Sequence, residues 1–409
     1  TDLIASKSQL ALGGELRLEA GTDLSLGKAL LLEFNKITAE ENVRLDAPYV
    51  RLGQAEDETL RLTVPSEDWL NDLPVSGDGD LTVTAAHIDL QGHLSVNGVN
   101  QLSLQSSGDI RLMGGLYDEK GKLSEDGRST GRLFTAGDIL FESQQIYAET
   151  MTDFQIAIAG NDNDTEVMSE LVQGKIVISH PESTTDNGMS SAVLSAGSSI
   201  SIIAPEIQQG GTIKAPMGKI EFVSGLLGES RDIIPLETLP ESLGESEAAS
   251  VEGIISLQAG SITSVSADGE LLPLGYLDRG ILWKYPNILN EYVDYDIEAP
   301  PEKEISIQAS IIDIADGSTI DFSGNGDIYS YEFVPGIGGS TDILTNSSGS
   351  FAVLPSGNNL FGHTDSAIYH NFGYETGETV YLQGVDGLAD DYYGVLPARY
   401  ALLPGAFLV

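Results

Sequence analysis

The sequence predicts an all-β chain folded as a right-handed parallel β-helix, three strands per coil, with loop insertions and an irregular C-terminal end region. Three observations predict it. A turn residue followed by a short run of alternating apolar residues recurs along the 409 residues, as in "GELRL" at Gly14, "GDIRL" at Gly108 and "GKIEF" at Gly218. Apolar residues two apart place their side chains on one face of a strand. In residues 81 to 112 five such pairs follow one another almost without padding, beginning at Leu81, Ile88, Leu94, Leu102 and Ile110. Three steps then span 21 residues from Leu81 to Leu102 and 22 from Ile88 to Ile110, a repeat that fits a stacked coil better than a meander, sandwich or barrel.

Residues 1–223 read as the shaft, with further phrases at Asn42, Gly79, Gly137, Gly174 and Ser199. Polar loops are expected at 114–132, 159–170 and 179–191, where Gly, Ser, Asn and charged residues replace the alternation. Residues 224–301 read as an acidic and aromatic insertion with a brief return to the coil at 253–264. Its prolines deny continuous helix or inner strand. Coils resume over 302–335 through Ile305, Ile307, Ile312, Ile314, Ile320 and Phe322, and 336–409 reads as a differently built capping or docking region. A dozen or more coils at the strand spacing of about 4.8 Å give a rod on the order of 60 Å long.

Composition removes several function classes. Asp and Glu number 62 against 20 Lys and Arg, a formal charge of −42, so phosphate backbones and anionic lipids repel the chain and no nucleic acid is expected as partner. No run approaches the roughly 18 apolar residues of a membrane helix, and no membrane insertion is expected. Hydrophobic residues make up 41% of the chain, enough for a substantial core. Cysteine is absent, so disulfides and thiolate metal sites are excluded. The opening "TDLIASKSQL" has neither a basic leader nor an apolar signal core, as expected of a piece cut from something longer.

The search for chemistry predicts a protein that is not an enzyme and holds no cofactor or metal. A polysaccharide-active β-helix needs carboxylates recurring at outward positions of successive coils, and Asp89, Asp109 and Asp138 do not fall at matching places. His87, His93, His180, His363 and His370 lack metal-ligand spacing, and "DFSGNGD" at 321–327 is a single copy of a calcium-turn-like phrase. Asn163 and Asn346 head glycosylation sequons. Neither a phosphate loop followed by Lys-Ser or Lys-Thr nor a Gly-x-Ser-x-Gly elbow occurs.

Two groups of residues remain as candidate contacts. Trp283, Tyr285, Tyr292 and Tyr295 cluster in the insertion. Packing of the loop onto the rod is the preferred reading of these amphipathic rings, and a sugar-stacking platform is the functional one. The tail "GVLPARYALLPGAFLV" carries one charge, Arg399, among Leu396, Tyr400, Leu403 and Phe407. A rod's last coil exposes its core and a row of unpaired strand groups, so this tail is expected to cover the flank or end of the rod, or else to dock on a further segment or another copy.

"GSTIDFSGNGDIYSYEFVPGIGGSTDIL" from Gly317, "FAVLPS" at Phe351, "VYLQG" at Val380 and the tail together resemble a region of the filamentous haemagglutinin-like exoproteins, over roughly 300–409. These are large Gram-negative proteins exported by two-partner secretion. The resemblance implies a secreted, extracellular or cell-surface shaft that passes an outer-membrane barrel unfolded and folds outside, concerned with adhesion, aggregation or biofilm attachment. Its partners would be a host or environmental surface glycan or protein, or copies of itself. The family region has no assigned catalytic residues to carry over. A polysaccharide lyase or hydrolase and a self-assembling filament or surface-layer subunit are the rival expectations.

Overall fold

The computed structural model describes residues 15–32, 34–39, 41–53, 74–115, 128–158, 174–181, 192–224, 253–286, 294–337, 339–344, 349–355 and 379–409. Strands dominate, and they stack into three long, wholly parallel sheets that wind as a β-helix with three strands per coil. The first sheet runs through eight strands from Glu15–Leu18 to Glu304–Gln308, the second through nine from Asp23–Ser25 to Ile311–Ile314, the third through eight from Ala29–Leu32 to Thr319–Asp321. The repeat read from the sequence is the ladder itself. Leu102 pairs with Leu81 and Ile110 with Ile88. Nine rungs at about 4.8 Å make the described part of the rod on the order of 40 Å long, shorter than the expected dozen coils.

Alternation explains the core. One column of the second sheet runs Val43, Leu81, Leu102, Ile139, Ile176, Ile207, Ile255, each directly over the last and each buried. The third sheet contributes Leu30, Val50, Ile88, Ile110, Ile146 and Ile213 in the same manner. Same-face neighbours on adjacent strands are the unit of sheet stabilisation, so a column of like branched residues packs without change of shape from rung to rung. One polar residue enters a core column with its hydrogen bonds met. Gln209 stands in the column between Ile178 and Leu257, fully buried, and its amide nitrogen donates to the carbonyls of Gly211 and Ile262 at 3.2 and 3.1 Å while its oxygen accepts from the Gly211 N–H at 3.1 Å.

Three boundaries differ from the expectation. The loop placed at 114–132 ends earlier, because Ser129–Thr135 is a strand of the first sheet paired on both sides. Gly131 and Arg132 look like loop residues in sequence, but Gly131 lies over Phe154, where the missing Cβ makes room for the ring. Within the insertion, 254–257 and 262–264 are coil strands as expected. Leu271–Asp278, Leu282–Tyr285 and Tyr295–Asp296 then form a small sheet with Asp327–Tyr331, the first pairing parallel to that strand and the others antiparallel. The end region is also more regular than expected: Phe351–Val353 sits between Leu396–Pro397 and Phe407–Leu408, and Thr379–Leu382 pairs with Asp391–Gly394.

Candidate functional site

Trp283 and Tyr285 stand two apart on Leu282–Tyr285, hence on one face of the hairpin, and Tyr295 lies across from Tyr285. Tyr285 is buried among Ala196, Met217 and Ala267 of the rod and Leu272 and Leu274 of the small sheet, with Trp283 and Tyr295 packed against the same group. The Trp283 indole donates to the Leu274 carbonyl at 2.9 Å, and the Tyr285 hydroxyl to the Thr150 carbonyl at 3.4 Å. The Trp283 handle is thus spent on the small sheet's own backbone and that of Tyr285 on the rod's. Tyr292 lies outside the described residues, as do Asn163, Asn346, His363 and His370.

The tail folds back on its own chain. Leu396, Tyr400 and Leu403 join Ala352 and Leu194 in one buried cluster, with Leu271 packed beside it. Leu194 belongs to 192–198, which replaces a third-sheet strand in that coil, and Ile146 therefore pairs directly with Ile213. The Arg399 guanidinium lies over the Tyr331 ring at 4.4 Å from its centroid. Burial pushes the Tyr331 hydroxyl up, with Arg399 opposing. Phe407 pairs opposite Val353. The tail covers a flank.

It leaves the last coil open. Ile312 and Ile314 continue the columns of Ile255 and Leu257, both fully buried, yet are 42% and 59% exposed, and Phe322 is 72% exposed. Among the described residues no strand pairs with the outer edges of Glu304–Gln308, Ile311–Ile314 or Thr319–Asp321.

Solvent-facing aromatics occur elsewhere. Tyr381 and Tyr392 are direct cross-strand partners on the Thr379–Leu382/Asp391–Gly394 hairpin, with ring centroids 5.0 Å apart and exposures of 49% and 56%. The turn and the start of the second strand carry exposed Asp386, Asp390 and Asp391, of which Asp390 accepts from the Gly384 N–H at 2.8 Å and Asp391 from the Tyr392 N–H at 2.7 Å. The sequence reading missed this pair, because ten residues lie between the two rings until the turn at 383–390 brings them together. The available signal was the Gly- and Asp-rich turn between "VYL" and "DYYG".

The densest titratable cluster is on the outer face of the third sheet. Asp89 alternates with the core residues Ile88 and Leu90, so its side chain points away from the core, yet it is fully buried, as are Arg111 and His87. Arg111 lies next to Asp89 on the ladder and donates from Nε and Nη2 to its two oxygens at 2.9 and 2.7 Å. His87 Nε2 stands 2.9 Å from one Asp89 oxygen, and the Tyr49 hydroxyl donates to the other at 2.6 Å. Burial alone raises the Asp89 carboxyl, but Arg111 and His87 outweigh it and hold the group well below the usual carboxylate range. Burial and Asp89 together raise the Tyr49 hydroxyl. Asp109 accepts from Gln145 at 3.1 Å, apart from this cluster, and Asp138 begins a strand of the second sheet.

Comparison with family models, with curated proteins and with solved structures returned no match. Geometry carries the reading. Among the described residues no group of three or more His, Asp or Glu side chains is arranged to hold a metal ion, and no helix is long and apolar enough to cross a membrane.

Proposed function

We propose that this chain is a non-catalytic, adhesive and structural segment of a secreted bacterial surface protein. Its shaft holds contact groups at fixed spacing for attachment to surface glycans. The observation that carries this reading is the contrast between two kinds of chemically able residue. The groups suited to acid–base work, His87, Asp89, Arg111 and Tyr49, are buried and bonded to one another, while the exposed tyrosine pair faces solvent on a hairpin whose turn carries exposed carboxylates. A general acid or base must reach the proton it moves, and a buried ion pair does not. Exposed aromatic faces suit pyranose rings, and exposed carboxylates accept hydrogen bonds from sugar hydroxyls. With a charge of −42 the chain favours neutral or amino sugars over acidic ones.

The resemblance of 300–409 to filamentous haemagglutinin-like exoproteins supports secretion through an outer-membrane barrel. Parallel coils that stack on their neighbours suit growth from one end as the chain emerges. Many weak contacts along a stiff body add through effective concentration. A glycan array read beside a reducing-end and unsaturation assay tests the proposal. Binding to neutral or amino sugars without product release is expected, and the Tyr381→Ala, Tyr392→Ala double variant is expected to weaken it about fivefold or more, since each stacked aromatic contributes about 0.5–1.5 kcal/mol and two are lost. Release of sugar fragments would instead establish the rival reading, a polysaccharide-active enzyme.

A further inference from the structure

The partly buried members of the main core all lie at or beside its two ends. They are Leu16, Leu18, Leu24, Leu26 and Leu32 at the first coil, and Ile305, Ile307, Ala309 and Ile320 at the last. Each end also presents strands paired on one side only among the described residues. The final coil is the more open, with Ile312 and Ile314 well exposed at positions where the coils between the two ends bury their residue, Val43 to Ile255 in one column. What fills such an end must supply three strand edges, running in the same direction, around the same section.

The first described coil matches it in two of the three sheets. The column through Leu45, Val83, Leu104 and Phe141 starts at Leu24 and ends at Ile314. That of the third sheet starts at Leu30 and ends at Ile320. Leu24 to Leu30 is six residues, and so is Ile314 to Ile320, so one coil fits over the other with both columns in line. We infer that the open final coil stacks on the first coil of a second copy, continuing the parallel ladders from molecule to molecule. The contact is head-to-tail, and because the ladders continue along one axis it does not return on itself as a ring, so the product is an open series. This goes beyond the adhesive reading and does not depend on it.

Charge sets the condition. The column that begins at Asp23 ends at Asp313, so stacking places two like charges on neighbouring rungs, between bodies that each carry −42. Screening falls from a reach of about 30 Å at 0.01 M salt to about 3 Å at 1 M. Sedimentation of the full chain is expected to give monomers at about 0.01 M sodium chloride and a series of multiples at about 1 M. Ile314→Asp and Leu24→Asp, each alone, are expected to stay monomeric at high salt. Mixed, they have one intact end apiece and are expected to stop at a dimer. The inference is overturned if the native chain remains monomeric at every salt concentration, if either variant assembles like the native chain, or if the mixture grows past two copies. Should either variant lose its β-sheet circular dichroism, Asp313→Lys decides the matter. Facing Asp23, it is expected to lower the salt needed for assembly, and an unchanged or higher threshold overturns the inference.

Discussion

At the scale of single residues, the Asp89 cluster shows how this fold uses charge away from its core. Breaking a buried ion pair by removing one partner costs about 3–5 kcal/mol, because the other charge stays buried without compensation. Asp89→Asn keeps the shape, leaves Arg111 charged, and is expected to lower unfolding stability by about that amount in a denaturant titration. Replacing both partners with apolar residues, Asp89→Leu with Arg111→Met, is expected to recover much of the loss. The pH dependence follows from the sign of the shift. Burial opposes the Asp89 charge, but Arg111 and His87 overcome it and depress the folded pKa. The stabilisation is therefore fully present above the unfolded value of about 3.9 and lost as pH falls toward the folded one. The stability difference between native and Asp89→Asn proteins should thus stay level from pH 7 to 5 and narrow only below about pH 4. A difference that narrows between pH 7 and 5 would contradict this account of the cluster.

At the scale of strands, the ladder turns a local fit into a repeated one. Gly131 lies between His93–Asn97 and Thr152–Ile158, and a Cβ on it would come within 2.3 Å of the Phe154 ring. Phe154 is itself buried and heads the column that continues through Ile200 and Ile220 to Ile305. Gly131→Ala is expected to cost about 1–3 kcal/mol as overpacking, and Phe154→Leu in the same chain to relieve part of it. A thermal melt of the two variants checks this, and equal destabilisation by the single and double changes would count against it. The strands that announce themselves in sequence are those whose inward pair is apolar, most plainly where a glycine turn precedes them, as at Glu15–Leu18 and Lys219–Val223. Glu206–Gln209 and Thr212–Lys214 are not legible in the sequence, because Gln209 is an inward residue whose acceptability depends on the carbonyl of Gly211 in the same coil and that of Ile262 in the next. The Asp89 pair escaped for the opposite reason. Alternation places it outward, where sequence expects water, and only the fold buries it. The hairpin bearing Trp283 shows no alternation distinct from the surrounding loop, since its partners include Asp327–Tyr331, a strand more than forty residues further on.

At the scale of the whole molecule, the closing sixteen residues and the open last coil divide between them the problem of a rod's exposed apolar surface. The tail resolves the flank, placing Leu396, Tyr400 and Leu403 over Leu194 and Leu271, while the last coil keeps Ile312 and Ile314 in water. In a stacked fold each coil rests on its immediate neighbours, so damage at one level spreads weakly to distant levels. Cutting the chain after Gly394 removes the tail cluster, in which a buried large apolar side chain is worth about 1.5–3 kcal/mol. The loss should be felt where those side chains rest. Hydrogen exchange is expected to quicken at 192–198 and 271–274, and a dye that binds apolar surface to brighten. The amides of 81–113, several rungs away along the three ladders, are expected to keep their protection. Because the tail does not cover the final coil, the truncated chain should still respond to salt as the full chain does, apart from any clumping through the uncovered flank, which the Ile314→Asp change would leave in place. Uniform loss of protection from 81 to 321 would mean that the tail holds the entire stack together, and the picture of independent levels would be wrong.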